Sequence, residues 1–302
     1  MNERYGEVSV NRLNSSWKLG RDDLTVSHEP YIWDQAEEPF GPLKKLAERF
    51  GDVVVPIFQK STKRASGMDG AGSGFLLRHR DQLFLVTARH VIEQVKQIGT
   101  VMGNFGGEAA YLDEFRFATS INSDLAISHL SHRWISEKLP HTRVRPLRSA
   151  PTRNADDGRQ DIRELLAMGY PGTKNRLDAR RGKVDRSLYS ITVLRSARAD
   201  IETEVVNPIF LDYDHKVVLS DRGERLGNQP DLQGMSGGPL FQVTTTTGSL
   251  GEVRFGVVCV GVLSEWKRAE RIIVATPIEA VIDLIETGWN WVAVSQDQGT
   301  GR

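Results

Sequence analysis

Short strands dominate this sequence, and three observations predict an all-β fold, either a sandwich or a pair of barrels. Runs rich in β-branched and aromatic residues recur along most of the chain, each bounded by Gly, Asp, Asn or Ser. Helical spacing of apolar residues is confined to one stretch near each end. Nowhere does a strand alternate with a long helix, as a doubly wound α/β sheet would require.

The elements follow in order. Residues 1–35 are polar and aperiodic and read as an arm; "AEEPFGPLKKLAERF" then spaces Leu43, Leu46, Ala47 and Phe50 as a short amphipathic helix stopped by Gly51. "DVVVPIF", "GSGFLLRH", "QLFLVTARHV", "EFRFATSI" and "DLAISHL" read as strands of a first half, residues 51–148. The charged stretch "RSAPTRNADDGRQD" reads as the connection to a second half, residues 149–290. There "ELLAMGYPG", "GKVDRS", "YSITVLRS", "PIFLDYD", "KVVLS", "PLFQVTTTT", "EVRFGVVCVGVLSEW" and "RIIVATP" repeat the strand pattern. "PIEAVIDLIETGW" closes it as a helix started by Pro277, with Ile278, Val281, Ile282 and Ile285 in one stripe. Residues 291–302 read as a frayed tail.

Bulk composition excludes several function classes. Thirty-nine basic residues balance 39 acidic ones, so no charge surplus points to nucleic acid. No apolar run approaches the ~20 residues of a membrane span, and the first twenty residues hold no secretory h-region. Cys259 is the one cysteine, so no disulfide forms within the chain, and a reducing cytoplasm is the expected location.

"LQGMSGGPLF" boxes Ser236 between Gly234, Gly237 and Gly238. Glycine marks places where backbone turns sharply or approaches something closely. A serine hydroxyl becomes a nucleophile when a histidine takes its proton and a carboxylate orients that histidine. The Gly-x-Ser-x-Gly elbow of α/β-hydrolases needs its histidine after the serine, and the last histidine here is His215. The order His, Asp, Ser is available instead. His90 ends the apolar run "LFLVTARHV", where a strand emerges, and Asp124 opens the strand "DLAISHL". Asp113 is a rival acid, but "YLDEF" lacks the small-apolar pair after it.

"GSGFLL…LVTARHV", "NSDLAI" and "GMSGGPLF" resemble the three signature blocks of chymotrypsin-fold, trypsin-like serine proteases, most closely the disulfide-free bacterial branch with the Deg-type proteases. The resemblance covers roughly residues 50–288. It implies two six-stranded Greek-key barrels with the active site between them, preceded by the N-terminal extension. It implies peptide hydrolysis through an acyl-enzyme, with Ser236 as nucleophile, His90 as base and then acid, and Asp124 orienting His90. The backbone N–H groups of Gly234 and Ser236 would form the oxyanion hole, and Gly234 would free the backbone to present its donor. Substrate would contact Pro230, Gln233, Ser264 and Trp266, with Ser264 to Trp266 pairing to its backbone; either Gly256 or Gly261 could start that strand. Protein or peptide is the implied substrate, with no cofactor or metal and no nucleic-acid or membrane partner.

Two departures from the family pattern matter. Met235 stands where members activated by N-terminal cleavage carry an acid, so that switch is not expected. Pro230, six before the nucleophile, brings no charge to the specificity pocket and implies an uncharged or small P1 residue; a one-residue slip would put Asp231 there instead. The N-terminal extension and the missing switch leave a second reading: a latent or inactive protease-like module that acts by binding a protein partner, with an activating partner as one form of it.

Other motifs carry blander readings. Cys259 lies in the apolar "GVVCVGV" and reads as a small hydrophobe. His129 and His132 lack a third ligand cluster nearby. "GMDGAGSGF" runs into a strand and lacks the Lys-Ser/Thr ending of a phosphate loop. "RLDARRGKVDR" reads as a solvated basic loop and "TTTT" as a strand end.

Overall fold

The structure is a computed structural model, and it describes residues 52–61, 67–98, 101–105, 108–138, 146–148, 162–172, 176–178, 183–185, 188–213, 218–219, 225–227, 231–247 and 253–297. The expected N-terminal helix and the connection after residue 148 lie outside these.

The described chain is mostly β. In the first half run β1 (Val54–Lys60), β2 (Gly67–His79), β3 (Gln82–Ala88), β4 (Val101–Phe105), β5 (Glu108–Tyr111), β6 (Phe117–Ser120), β7 (Leu125–His129) and the short β8 (Leu147–Arg148). They lie in the order β5-β4-β1-β2-β3-β7-β6, with β8 parallel to β2. In the second half, β9 (Ile162–Gly169), β12 (Tyr189–Arg195), β13 (Ile209–Asp212), β16 (Pro239–Thr247), β17 (Val253–Lys267) and β18 (Ile272–Pro277) close into a six-stranded barrel. Between them in sequence, β10 (Arg176–Asp178) pairs with β11 (Lys183–Asp185) and with β2, while β14 (Val218–Leu219) pairs with β15 (Arg225–Gly227). The six-strand expectation therefore holds for the second sheet. The first is a ten-stranded sheet that recruits β10 and β11 from the second half, and no strand pair closes it among the described residues.

Two β hairpins show local sequence at work. His79 pairs with Gln82, and the two-residue loop between them, Arg80 and Asp81, takes φ of 46° and 65°. Positive φ at both loop residues is what the right-handed twist of a two-residue hairpin selects. Lys267 pairs with Ile272 across a longer loop ending in Arg271 at φ 59°.

The helices depart most from the sequence reading. The run "LFLVTARHV" leaves the sheet at Ala88, and α1 (Arg89–Ile98) begins there. His90 thus sits in the first helical turn rather than at a strand end, because Val91, Ile92 and Val95 bury one helix face in the core of the first half. Helix α2 (His132–Glu137) starts from Ser131, whose hydroxyl accepts the Trp134 N–H. Helix α3 (Ile278–Asp297) begins one residue after Pro277, which is the last residue of β18, and continues through much of the supposed tail. Its Val281 and Ile285 enter a core shared by both halves, with Ile278 and Ile282 packed alongside. Phe75, Phe84 and Val86 from the first half meet Met168, Phe241 and Val262 from the barrel in that same core.

Candidate active site

Strand register builds the first part of the site. β3 and β7 run antiparallel, and their last pair is Ala88 with Leu125. One step outward are Arg89 and Asp124, so the start of α1 must meet the turn of residues 121–124. The Asp124 amide donates to the Ile121 carbonyl at 3.1 Å, and Asp124 takes φ 46°, a left-handed conformation that Asp tolerates better than most residues. Its own carbonyl accepts the Arg89 N–H at 2.9 Å. Its carboxylate grips His90 twice: Oδ1 accepts the backbone N–H at 3.1 Å and Oδ2 lies 2.7 Å from Nδ1. An ionised carboxylate only accepts, so this arrangement puts the ring proton on Nδ1 and leaves the Nε2 lone pair available. The carboxylate also stands at a helix N-terminus, where the backbone dipoles favour negative charge. Asp124 is 6% exposed and the His90 side chain 42%, so the pair has one dry end and one wet end.

The glycine spacing builds the second part. The Met235 amide donates to the Leu232 carbonyl at 2.9 Å and the Gly238 amide to the Met235 carbonyl at 3.0 Å, giving two consecutive tight turns. Gly234 and Gly237 are the third residues of these turns, with φ of 96° and 86°. Positive φ at that place is the type II requirement and explains a glycine every third residue around Ser236. Packing demands the same glycines. A Cβ on Gly234 would lie 2.5 Å from the Gly172 nitrogen, and one on Gly238 would collide with the Met168 carbonyl. A Cβ on Gly237 would collide with the Ser73 carbonyl and the Thr87 hydroxyl, and would stand 2.9 Å from the Ala88 nitrogen. The serine turn is thus pressed against the end of β3, two residues before His90.

Both halves of the molecule hold that turn. From β2, the Ser73 amide donates to the Ser236 carbonyl at 2.8 Å, and the Ser73 hydroxyl donates to the Gly234 carbonyl at 2.9 Å while accepting the Tyr170 N–H at 2.8 Å. From β17, Leu263 accepts the Gly237 N–H at 2.6 Å and donates to the Gly238 carbonyl at 2.8 Å. The Gly172 amide donates to the Gln233 carbonyl at 2.7 Å. Because C=O and N–H point opposite ways across a trans peptide, that bond also fixes the direction of the Gly234 N–H. Among the described residues neither the Gly234 nor the Ser236 N–H has an acceptor. Met235 is buried in the barrel core, where it fills space as a hydrophobe.

The remaining predicted contacts divide. Pro230 lies outside the described residues. Gln233 is exposed, and its backbone N–H donates to the Asp231 carboxylate at 3.2 Å. β17 begins at Val253, ahead of both Gly256 and Gly261; β16 pairs with it as far as Val262, and β18 pairs with it from Gly261 to Lys267. Beyond Leu263 the strand therefore has one paired edge and one edge without a strand partner among the described residues. Ser264 sits at the irregularity between Leu263 and Glu265 with its side chain buried, its hydroxyl 2.8 Å from that of Thr276. The Trp266 ring meets Tyr213 edge-on at 5.3 Å.

Cys259 is buried and its thiol is pushed up to about 12 by desolvation, with its Sγ 3.6 Å from the Gly261 carbonyl. His129 packs edge-on to Phe84, and burial lowers its basicity. Ser73 and Thr276 were not singled out by the sequence: each is one small hydroxyl residue inside an apolar strand, with partners far away in the chain.

A family model described as the trypsin-like peptidase domain matches residues 72–247. No curated protein matches the sequence. Among solved structures, the serine protease domain of the Sesbania mosaic virus polyprotein is similar at 15% identity, over 84% of this chain and 96% of that one, with a TM-score of 0.42. A structure from work on the coupled folding and binding of the intrinsically disordered Sesbania mosaic virus VPg protein is similar at 15% identity over 83% and 92%, with a TM-score of 0.41. An inactive form of Rv3671c from M. tuberculosis is similar at 16% identity over 85% and 98%, with a TM-score of 0.40. With the family match covering more than half of its residues and holding the glycine-boxed serine and the His90–Asp124 pair, this chain belongs to the trypsin-like peptidase domain family.

Proposed function

We propose that the protein is a serine endopeptidase in which His90, Asp124 and Ser236 act as one triad. The observation that carries this reading is the 2.7 Å contact between His90 Nδ1 and the buried Asp124 carboxylate, beside the turn that presents Ser236. The Ser236 hydroxyl attacks the scissile carbonyl carbon as its proton passes to His90 Nε2. Asp124 holds the ring orientation and stabilises the imidazolium that forms. Negative charge on the carbonyl oxygen is met by the Gly234 and Ser236 N–H groups; a donor of this kind contributes about 3 kcal/mol to transition-state stability. His90 then gives its proton to the leaving amine as the C–N bond breaks. Water attacks the resulting acyl ester with His90 again as base, and the acid product leaves.

Substrate backbone adds to the open edge of β17 at Ser264 to Trp266 as one more antiparallel strand. The Ser264 contribution is made by its main chain, since its hydroxyl is buried. Pro230 and Gln233 border the side-chain pocket, and the absence of charge at Pro230 favours an uncharged or small P1 residue. The Gly172–Gln233 hydrogen bond supports turnover without an activating partner, because it holds the oxyanion peptide from within the chain.

A fluorophosphonate probe tests the assignment. Covalent labelling of the purified protein is expected, and Ser236→Ala is expected to abolish it along with cleavage of a proteome-derived peptide library. Loss of a triad nucleophile costs on the order of 10⁶ in kcat. Labelling that survives in the alanine variant rules the assignment out, and labelling that appears only after addition of cell lysate favours the latent form.

A further inference from the structure

The loop that carries Asp124 is held from the barrel by an arrangement the triad itself does not account for. Thr276, on β18, is fully buried, and its hydroxyl donates to the Ser123 carbonyl at 2.6 Å. A threonine hydroxyl has one proton. With that proton spent on Ser123, the contact to Ser264 at 2.8 Å must have Ser264 as donor. The order is therefore Ser264 O–H to Thr276 Oγ1, and Thr276 O–H to Ser123 C=O. Two barrel strands thereby reach across the interface to the residue before Asp124. Val206 adds a second tie of the same sense, its N–H donating to the Asn122 carbonyl at 2.7 Å.

What these bonds control follows from backbone geometry. The peptide joining Ser123 to Asp124 is planar, so fixing its carbonyl fixes the whole plane. Rotation of that plane about the Asp124 N–Cα bond is the φ of Asp124, which stands at 46°. A left-handed conformation in a residue with a Cβ is strained and persists only where the surroundings hold it. Among the described residues, both hydrogen bonds to the Asp124 carboxylate come from His90 and none from the barrel. The barrel can therefore influence the carboxylate only through the backbone on which it is mounted.

We propose that Thr276, oriented by Ser264, is a positioning residue that holds Asp124 in its left-handed conformation and so keeps its carboxylate on His90. This rests on the triad reading given above. Removing the Thr276 hydroxyl releases the Ser123 carbonyl, lets the turn relax toward negative φ and swings the carboxylate off the ring. The hydroxyl touches neither substrate nor the reacting atoms, so its loss acts through geometry alone. A misplacement of about 1 Å originating away from the reacting atoms costs up to ~100-fold in rate.

The test compares Thr276→Val, Thr276→Ser and Ser264→Ala by the concentration dependence of fluorophosphonate labelling and by proton NMR of the low-field resonance from the His90 Nδ1–H. Thr276→Val is expected to lower the maximal labelling rate about 10- to 100-fold, with little change in half-saturating probe, and to broaden or remove the low-field resonance. Thr276→Ser, which keeps the donor, is expected to restore both. Ser264→Ala is expected to move both in the same direction by a smaller factor, and it carries the test if Thr276→Val does not fold. An unchanged labelling rate and resonance in the folded Val variant, or in Ser264→Ala where that variant carries the test, overturns the proposal. So does failure of the Ser variant to rescue. Asp124→Asn separates this from the triad reading: if that variant labels at the wild-type rate, the triad reading falls. The resonance then still decides the Thr276 claim, its loss in the Val variant supporting it and its persistence overturning it.

Discussion

Ser73 concentrates more of the site's architecture than any residue the sequence drew attention to. Fully buried, it uses its amide on Ser236, its hydroxyl on Gly234 and Tyr170, and its carbonyl to accept the Thr87 hydroxyl at 2.6 Å. Ser73→Ala leaves the backbone bonds in place but removes the hydroxyl that donates to the Gly234 carbonyl. Each buried polar group left unmet costs about 1–3 kcal/mol. The expected result is a stability loss of about 1–3 kcal/mol by denaturant titration, together with slower fluorophosphonate labelling, because the Gly234–Met235 peptide between the two oxyanion donors loses its side-chain tether. Legibility at this scale divides by sequence distance. The glycines around Ser236 could be read because a missing Cβ announces a conformational need within five residues. Ser73 could not, since its hydroxyl partners lie 97 and 161 positions away. Thr276 was hidden for the same reason, 153 positions from Ser123.

Among the elements, strands were legible where β-branched residues sit between turn formers, and α3 was legible because Pro277 sets it off from the apolar strand before it. The apolar residues of α1 follow those of β3 without a break, so "LFLVTARHV" reads as one strand, and only the tertiary burial of Val91, Ile92 and Val95 separates them. For α3 the stripe was visible and its packing can be weighed. Ile285 is buried in the shared core, whereas Glu286 next to it makes an ion pair with Arg80 at 2.6 Å near the surface. Truncating a buried Ile to Ala costs about 2–5 kcal/mol, while an exposed ion pair contributes about 1 kcal/mol at most. Ile285→Ala is therefore expected to lower the thermal midpoint clearly and Glu286→Ala hardly at all. Equal shifts from the two would mean that the surface bridge, rather than apolar packing, fixes this helix.

Across the whole molecule, Cys259 offers a natural reporter because it belongs to the core that joins the sheet to the barrel. Burial favours its neutral thiol and pushes it from 9.0 to about 12. The native protein is expected to resist a thiol reagent at pH 8 and to react fully once denaturant opens the core. Stabilisation from keeping the thiol neutral is fully present below about 9 and is lost as pH rises from there through about 12. Fast reaction under native conditions would show that the core opens locally. The all-β architecture was readable from strand pattern, but the ten-stranded first sheet was not, because β10 and β11 leave their own half to pair with β2. That exchange, added to the ties from Ser73 and Leu263 on the serine turn, bears on how such a chain can change through descent. Neither half is free to drift by itself: a replacement on one side of the seam must be answered on the other, so lineages should accumulate paired changes there and single changes elsewhere.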